Sequence, residues 1–131
     1  MWKVLQPDGW IAPKGYSNGI ATRGRHVYLA GLIGWNHESK FDSDDFVLQS
    51  QQALRNIVDT LACAEAGPEH IVRMTWYVKD KQEYLICGRE LGQAYKNIIG
   101  RHYPVMTLVQ VVDLAEDRAR VEIEVTAVIP D

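Results

Sequence analysis

Two carboxylates, Glu122 and Glu124, lie on one face of an alternating segment near the end of the chain. Apolar side chains occupy the other face, so the pattern predicts a strand over 119–128. A carboxylate on a strand can orient a water molecule or move a proton, which is general acid–base chemistry. It can equally be a solvated or interface-paired group, and alternation alone favours that second interpretation.

The other residue types that commonly do chemistry are scattered. Cys63 and Cys87 belong to no Cys-x-x-Cys or Cys/His cluster, and both fall in apolar helical patterns. We therefore expect them to be buried, and they argue against a disulfide scaffold, a zinc knuckle or a redox motif. The four histidines lack metal-ligand spacing, and no glycine-rich phosphate loop occurs. The sequence predicts no metal site and no cofactor.

Two helices are predicted to support the strands. An apolar stripe at helical spacing predicts the first over 44–66, with Asp42 or Ser43 as its N-cap. A capping box formed by Asp80 and Glu83 predicts the second, over 80–99.

Two glycines interrupt the second predicted helix. Gly88 and Gly92 each cost about 1 kcal/mol relative to alanine, so we expect close packing at these positions. Trp76, in an apolar run before this helix, is expected in the core.

Short β-rich runs between glycines predict the remaining elements. The pattern assigns bounds to five of the predicted strands, which cover 2–5, 26–33, 71–78, 106–112 and 119–128. The order, roughly β-β-β-α-β-α-β-β, indicates an α+β fold in which two helices pack on one face of a mixed sheet. The other face carries polar and large apolar side chains together, and a symmetric oligomer that covers this face explains the mixture.

Length and composition limit the class of protein. A chain of 131 residues with 47% hydrophobic and 24% charged residues predicts one globular domain over 1–131. The formal net charge of −3 disfavours a nucleic-acid partner bound through its phosphates. The apolar runs are too short to span a bilayer and no leader is recognisable, so we expect a cytoplasmic protein that does not bind membranes.

Six segments in order resemble the RidA/YjgF family of imine and enamine deaminases, and the resemblance covers nearly the whole chain. The segments are Gly15-Tyr16-Ser17-Asn18-Gly19, 27–34, 52–61, 71–80, Tyr103-Pro104 and Val121-Glu122-Ile123-Glu124. The resemblance implies a chorismate-mutase-like (YjgF-like) fold that assembles as a homotrimer. It also implies that a small-molecule substrate binds in three clefts between subunits.

The resemblance also implies a set of site residues. In the family, an arginine two residues after the Tyr/Phe-Pro proline binds the substrate carboxylate, and Met106 occupies that position here. Glu122 stands where the family's carboxylate orients or deprotonates the attacking water. The implied substrate-binding residues are Tyr16, Gly31, Ile33, Trp35, Met106, Thr107 and Leu108, of which Gly31 and Leu108 contribute backbone groups.

Each of these residues also has a purely structural interpretation. Met106 is equally well explained as a core side chain, and Tyr16 and Trp35 as aromatic residues that plug loops. Arg73 and Arg101 are alternatives for the missing cation, although a surface ion pair is the commoner fate of such residues.

Three functions are considered for a chain with these residues. The first is a deaminase that acts on an imine or enamine not anchored by the usual arginine. The second is a non-catalytic trimeric module that binds or senses a small molecule. The third, a ribonuclease activity reported within the wider family, is disfavoured by the net charge and by the absence of a basic, aromatic stripe.

Overall fold

The computed structural model describes residues 2–131 and is an α+β arrangement of seven strands and three α-helices within that range. The strands are β1 (Trp2–Leu5), β2 (Gly19–Thr22), β3 (Gly24–Tyr28), β4 (Leu32–Ile33), β5 (Ile71–Val78), β6 (Val105–Gln110) and β7 (Val121–Pro130). The helices are α1 (Phe46–Ala62), α2 (Lys81–Ile86) and α3 (Gly88–Ile98), and Pro68–His70 forms a short 3-10 helix.

A five-stranded mixed sheet is the centre of the fold. Its strand order is β3-β7-β5-β6, and β4 pairs with β7 beyond the end of β3. The β5–β6 pair is parallel, whereas β7 is antiparallel to β3, β4 and β5. Strands β1 and β2 form a separate antiparallel pair.

The core lies between the helices and one face of this sheet. The fully buried side chains include Leu54, Ile57 and Leu61 of α1, Met74 and Trp76 of β5, and Val121, Ile123 and Val125 of β7. The alternation predicted for β7 is confirmed, because Glu122 and Glu124 lie on the opposite face. We refer to that opposite face as the outer face.

The first helix is shorter than predicted and begins at a different cap. The Asp45 side chain accepts a hydrogen bond from the Leu48 amide, so the N-cap is neither Asp42 nor Ser43. Cys63, predicted to be buried, is exposed just after the helix ends, whereas Cys87 is half-buried. The stripe itself is correct, since Leu54, Ile57 and Leu61 are inaccessible to solvent.

The second predicted helix is divided in two at Cys87. Asp80 caps α2 by accepting from the Gln82 amide, as predicted. The predicted capping box does not form, because Glu83 instead lies 2.6 Å from the Arg120 guanidinium, an ion pair that ties α2 to the residue before β7. A long-range ion pair has therefore replaced the local contact.

The predicted close packing at the two helical glycines is wrong. A Cβ at Gly88 or Gly92 would meet nothing within 4 Å. Both glycines line an apolar pocket of about 420 Å³ between α2, α3 and the sheet, where Trp76 forms part of the wall. The glycines thus border open space.

The space at Gly92 leads to a stability prediction. We expect Gly92→Ala to raise the free energy of unfolding by about 0.5–1 kcal/mol, because alanine favours the helix and its methyl group meets no neighbour. Urea unfolding measures the change. Gly100→Ala is the matched control: its Cβ would also meet nothing within 4 Å, but its φ of +92° disfavours alanine, so stability should fall. A loss of stability in Gly92→Ala would contradict the prediction.

A bulge interrupts β5 near its start. Ile71 pairs with Ala127 and Arg73 pairs with Thr126, which leaves Val72 as the extra residue. Regular alternation would place Val72 on the same face as Met74 and Trp76, but Ile71 is the residue buried there. A bulge of this kind re-aims the side chains beside it.

Candidate functional site

The outer face carries a cluster of polar side chains on β5 and β7. Glu122 lies opposite Tyr77 in the strand register, and Glu124 lies opposite Thr75. The Tyr77 hydroxyl donates a hydrogen bond to Glu124 Oε1 at 3.2 Å. Burial raises the pKa of the Tyr77 phenol, and the negative charges of Glu124 and Glu122 raise it further. The Tyr77 phenol therefore stays protonated and acts as a hydrogen-bond donor in this cluster.

The Glu122 carboxylate is held against the backbone of Gly31. A Cβ on Gly31 would overlap Glu122 Oε2 and lie 2.8 Å from its Cδ. A Cβ at position 31 would require the Glu122 side chain to move from this placement. Ile33, which follows on β4, pairs with Glu122 and is buried. The structure therefore brings together Glu122, Gly31 and Ile33, three of the predicted site residues.

A second group of predicted site residues lines a separate polar pocket, which we call the β6-edge pocket. This pocket has a volume of about 420 Å³ and lies between the β1–β2 pair and the outer edge of β6. Its lining includes the predicted residues Tyr16, Met106 and Thr107, together with Arg73 and Asn18.

Tyr16 is positioned by the residue that follows it. The Ser17 amide donates to the Pro104 carbonyl at 3.1 Å, and the Ser17 hydroxyl donates to the Tyr103 carbonyl at 2.6 Å. These bonds attach the Tyr16 loop to the start of β6. The Tyr16 side chain is 41% exposed at the pocket.

Strand β6 turns its side chains in alternate directions. Met106 and Leu108 pair with Met74 and Trp76, and both pack against the core. Thr107 is exposed on the outer face. Much of the Met106 side chain therefore packs as a core residue, although Met106 also borders the β6-edge pocket.

Trp35 lies apart from both groups. Its ring contacts Phe41 at a centroid distance of 5.9 Å, and both line a shallow pocket that includes Arg118. The Asn56 side chain of α1 donates to the carbonyls of Ile33 and Trp35, at 3.0 and 2.8 Å, and so fixes the chain after β4. Asn56 lies within the family-like segment 52–61, and no local sequence pattern predicts this role for it.

The two groups of site residues are separated within one chain. Arg73 lies four residues before Tyr77 on β5, a distance of about 13 Å along a strand. The Glu122 carboxylate sits against Gly31, which lies on the other side of β7 from β5. Glu122 and the β6-edge pocket are therefore distinct regions of the outer face.

Residues 2–131 contain no group of three or more His, Cys, Asp or Glu side chains placed to hold a metal ion. No helix in that range is long and apolar enough to cross a membrane.

The chain was compared with known proteins. The family model described as endoribonuclease L-PSP matches residues 10–129. A curated relative, the RutC family protein UK114 of Drosophila melanogaster, is 28% identical over 95% of this chain and 88% of its own length.

Solved structures agree with this match. YyfB of Yersinia pestis, a protein of unknown function from the Rid family, aligns with a TM-score of 0.82 and 28% identity over 98% of both chains. Rv2704 of Mycobacterium tuberculosis, described as a member of the YjgF/YER057c/UK114 family, aligns with a TM-score of 0.67 and 32% identity over 88% of both chains. The predicted YjgF-like α+β fold is confirmed.

Proposed function

The chain belongs to the endoribonuclease L-PSP family, and we propose that it is a deaminase that hydrolyses a reactive imine or enamine to a carbonyl compound and ammonia. The proposed unit is a single cytoplasmic domain over 1–131. The observation that carries the proposal is the Glu122 carboxylate, which is held on the outer face against the backbone of Gly31. A half-buried carboxylate on this face provides a base that can take a proton from a water molecule.

In the proposed reaction, Glu122 accepts a proton from a water molecule whose oxygen attacks the imine carbon. The C=N electron pair moves to nitrogen, which takes the proton back from Glu122, and a tetrahedral amino alcohol forms. The Glu122 carboxylate then accepts the hydroxyl proton and passes it to the amino nitrogen, the C–N bond breaks, and ammonia leaves as the carbonyl forms. Water is the only co-reactant, so the reaction needs no metal and no cofactor.

We propose that the site is completed in a homotrimer, with the substrate in clefts between subunits. Two features of the outer face support this assembly: Tyr28 is 73% exposed and Val109 is 41% exposed, so the sheet presents large apolar groups. The separation of Glu122 from Tyr16 within one chain also favours a site to which two copies contribute. Light scattering should give three times the chain mass.

Ammonia release tests the deaminase proposal. An amino-acid oxidase generates 2-imino acids in situ, and the purified protein should accelerate ammonia release above the rate without protein. Met106→Arg is assayed beside the wild type, because it restores the cation expected from the resemblance. If only Met106→Arg is active, the wild-type protein does not deaminate simple 2-imino acids and the proposal fails for this substrate class.

One observation favours the second candidate, a non-catalytic binding module. Met106 packs against the core and provides neither charge nor hydrogen-bond donor to the pocket beside it. Under this alternative, both the wild type and Met106→Arg would bind small molecules without releasing ammonia.

A further inference from the structure

The β6-edge pocket contains Arg73, one of the two arginines that could replace the cation missing at Met106. Arg73 is exposed on the outer face and lines this pocket together with Tyr16 and Thr107. Its side chain makes no hydrogen bond or ion pair with any residue from 2 to 131. The surface ion pair expected for Arg73 is therefore absent from the described chain.

The chemistry of the pocket is complementary to an anion. Eleven residues line the pocket, among them Tyr16, Arg73 and Thr107. Arg73 is the one charged residue in this set, and none of the set is acidic, although the chain as a whole carries a net charge of −3. The Tyr16 and Thr107 hydroxyl groups add neutral donors.

The bulge in β5 contributes to this arrangement. Val72 is the extra residue and lines the pocket, and Arg73 resumes the register immediately after it, opposite Val105 of β6. A regular strand would have continued the alternation through Val72. The bulge thus sets which side chains of β5 meet the pocket.

We infer that Arg73 binds the carboxylate of a small organic acid in the β6-edge pocket, so that Arg73 supplies the cation that Met106 lacks. A guanidinium group matches a carboxylate because it donates two parallel hydrogen bonds. The inference rests on the proposed function because it assigns this carboxylate to the substrate. Arg73 is then a specificity-determining residue, and the substrate is anionic.

Binding of an unreactive 2-oxo acid tests the inference without requiring turnover. The probe is 2-oxobutanoate, and butan-2-one is the matched neutral compound that lacks the carboxylate. Titration followed by NMR at fixed ionic strength should show saturable binding of the acid by the wild type. Arg73→Gln should weaken this binding by about 10- to 100-fold, the usual range for a charge-assisted hydrogen bond. Arg73→Lys should be intermediate, because it keeps the charge and loses the paired donors.

Arg101→Gln is the control variant. Arg101 is also exposed and, like Arg73, has no hydrogen bond or ion pair in the described part of the chain, but it is not among the residues of the pocket. Its substitution should leave 2-oxobutanoate binding unchanged. The inference is overturned if the wild type does not bind the acid, if it binds butan-2-one equally well, or if Arg73→Gln and Arg101→Gln have equal effects.

The same variants separate this inference from the proposed function. If 2-oxobutanoate binding depends on Arg73 while no ammonia is released from 2-imino acids, the anion site is supported and the deaminase proposal fails. If ammonia is released and Arg73→Gln keeps the wild-type KM, the deaminase proposal is supported and the anion site is overturned. An active Arg73→Gln variant with a raised KM and little change in kcat supports both.

Discussion

Replacing Glu122 with glutamine is expected to reduce ammonia release by about 100-fold or more. The amide is nearly the same size as the carboxylate and can stay beside Gly31, but it cannot accept a proton from water. General acid–base catalysis typically contributes 100- to 10,000-fold to a rate. The measurement is the steady-state rate of ammonia release from in situ generated 2-imino acids.

Glu124→Gln is the matched control for this substitution. It makes the same chemical change on the same strand and the same face, at a residue that accepts a hydrogen bond from Tyr77. We expect it to keep most of the activity. Wild-type activity in Glu122→Gln, or equal losses in the two variants, would show that no specific role belongs to Glu122.

The largest stability effect is expected at Gln49, which is only 1% exposed on α1. Its amide nitrogen donates to the carbonyls of Ser43 and Arg118, both at 3.0 Å, and its oxygen accepts from the Arg120 amide at 2.8 Å. Leucine at this position would leave three backbone groups without partners. Each unsatisfied group costs about 1–3 kcal/mol, so Gln49→Leu should lower the free energy of unfolding by about 3 kcal/mol or more.

The control is Gln51→Leu, two residues further along the same helix. Gln51 is half-buried, and its side chain makes no hydrogen bond within the described chain. Urea denaturation of the two variants should give a large loss for Gln49→Leu and a change within about 0.5 kcal/mol for Gln51→Leu. Similar stabilities for the two proteins would mean that the Gln49 bonds do not hold α1 to the segment before β7.

Patterns that depend on the periodicity of one segment were predicted correctly. The stripe of α1, the alternation of β7 and the burial of Trp76 all follow from the spacing of apolar side chains. The errors arose where a distant residue decides the outcome. Glu83 pairs with Arg120, some 37 positions away, and no local pattern contains that contact.

The candidate site was predictable to a similar extent. Most of the residues carried over by resemblance divide into one group at Glu122 and one at the β6-edge pocket, whereas Trp35 lies apart from both. This division follows from strand order rather than from spacing along the chain. The absence of an ion pair at Arg73 within the described chain depends on which residues β6 and β7 place beside β5, and so does the bulge at Val72. Local alternation does not contain that information, because it would place Val72 on the same face as Met74 and Trp76, whereas the structure buries Ile71 there.

The contact between Gly31 and Glu122 also has a consequence for surveys of related sequences. A side chain at position 31 would force a glutamate at 122 to move its carboxylate from this placement, whereas a homologue without the glutamate is free to vary at 31. The two positions should therefore covary across the family. The pair of residue types at positions 31 and 122 should then distinguish family members that keep the carboxylate from members that have lost it.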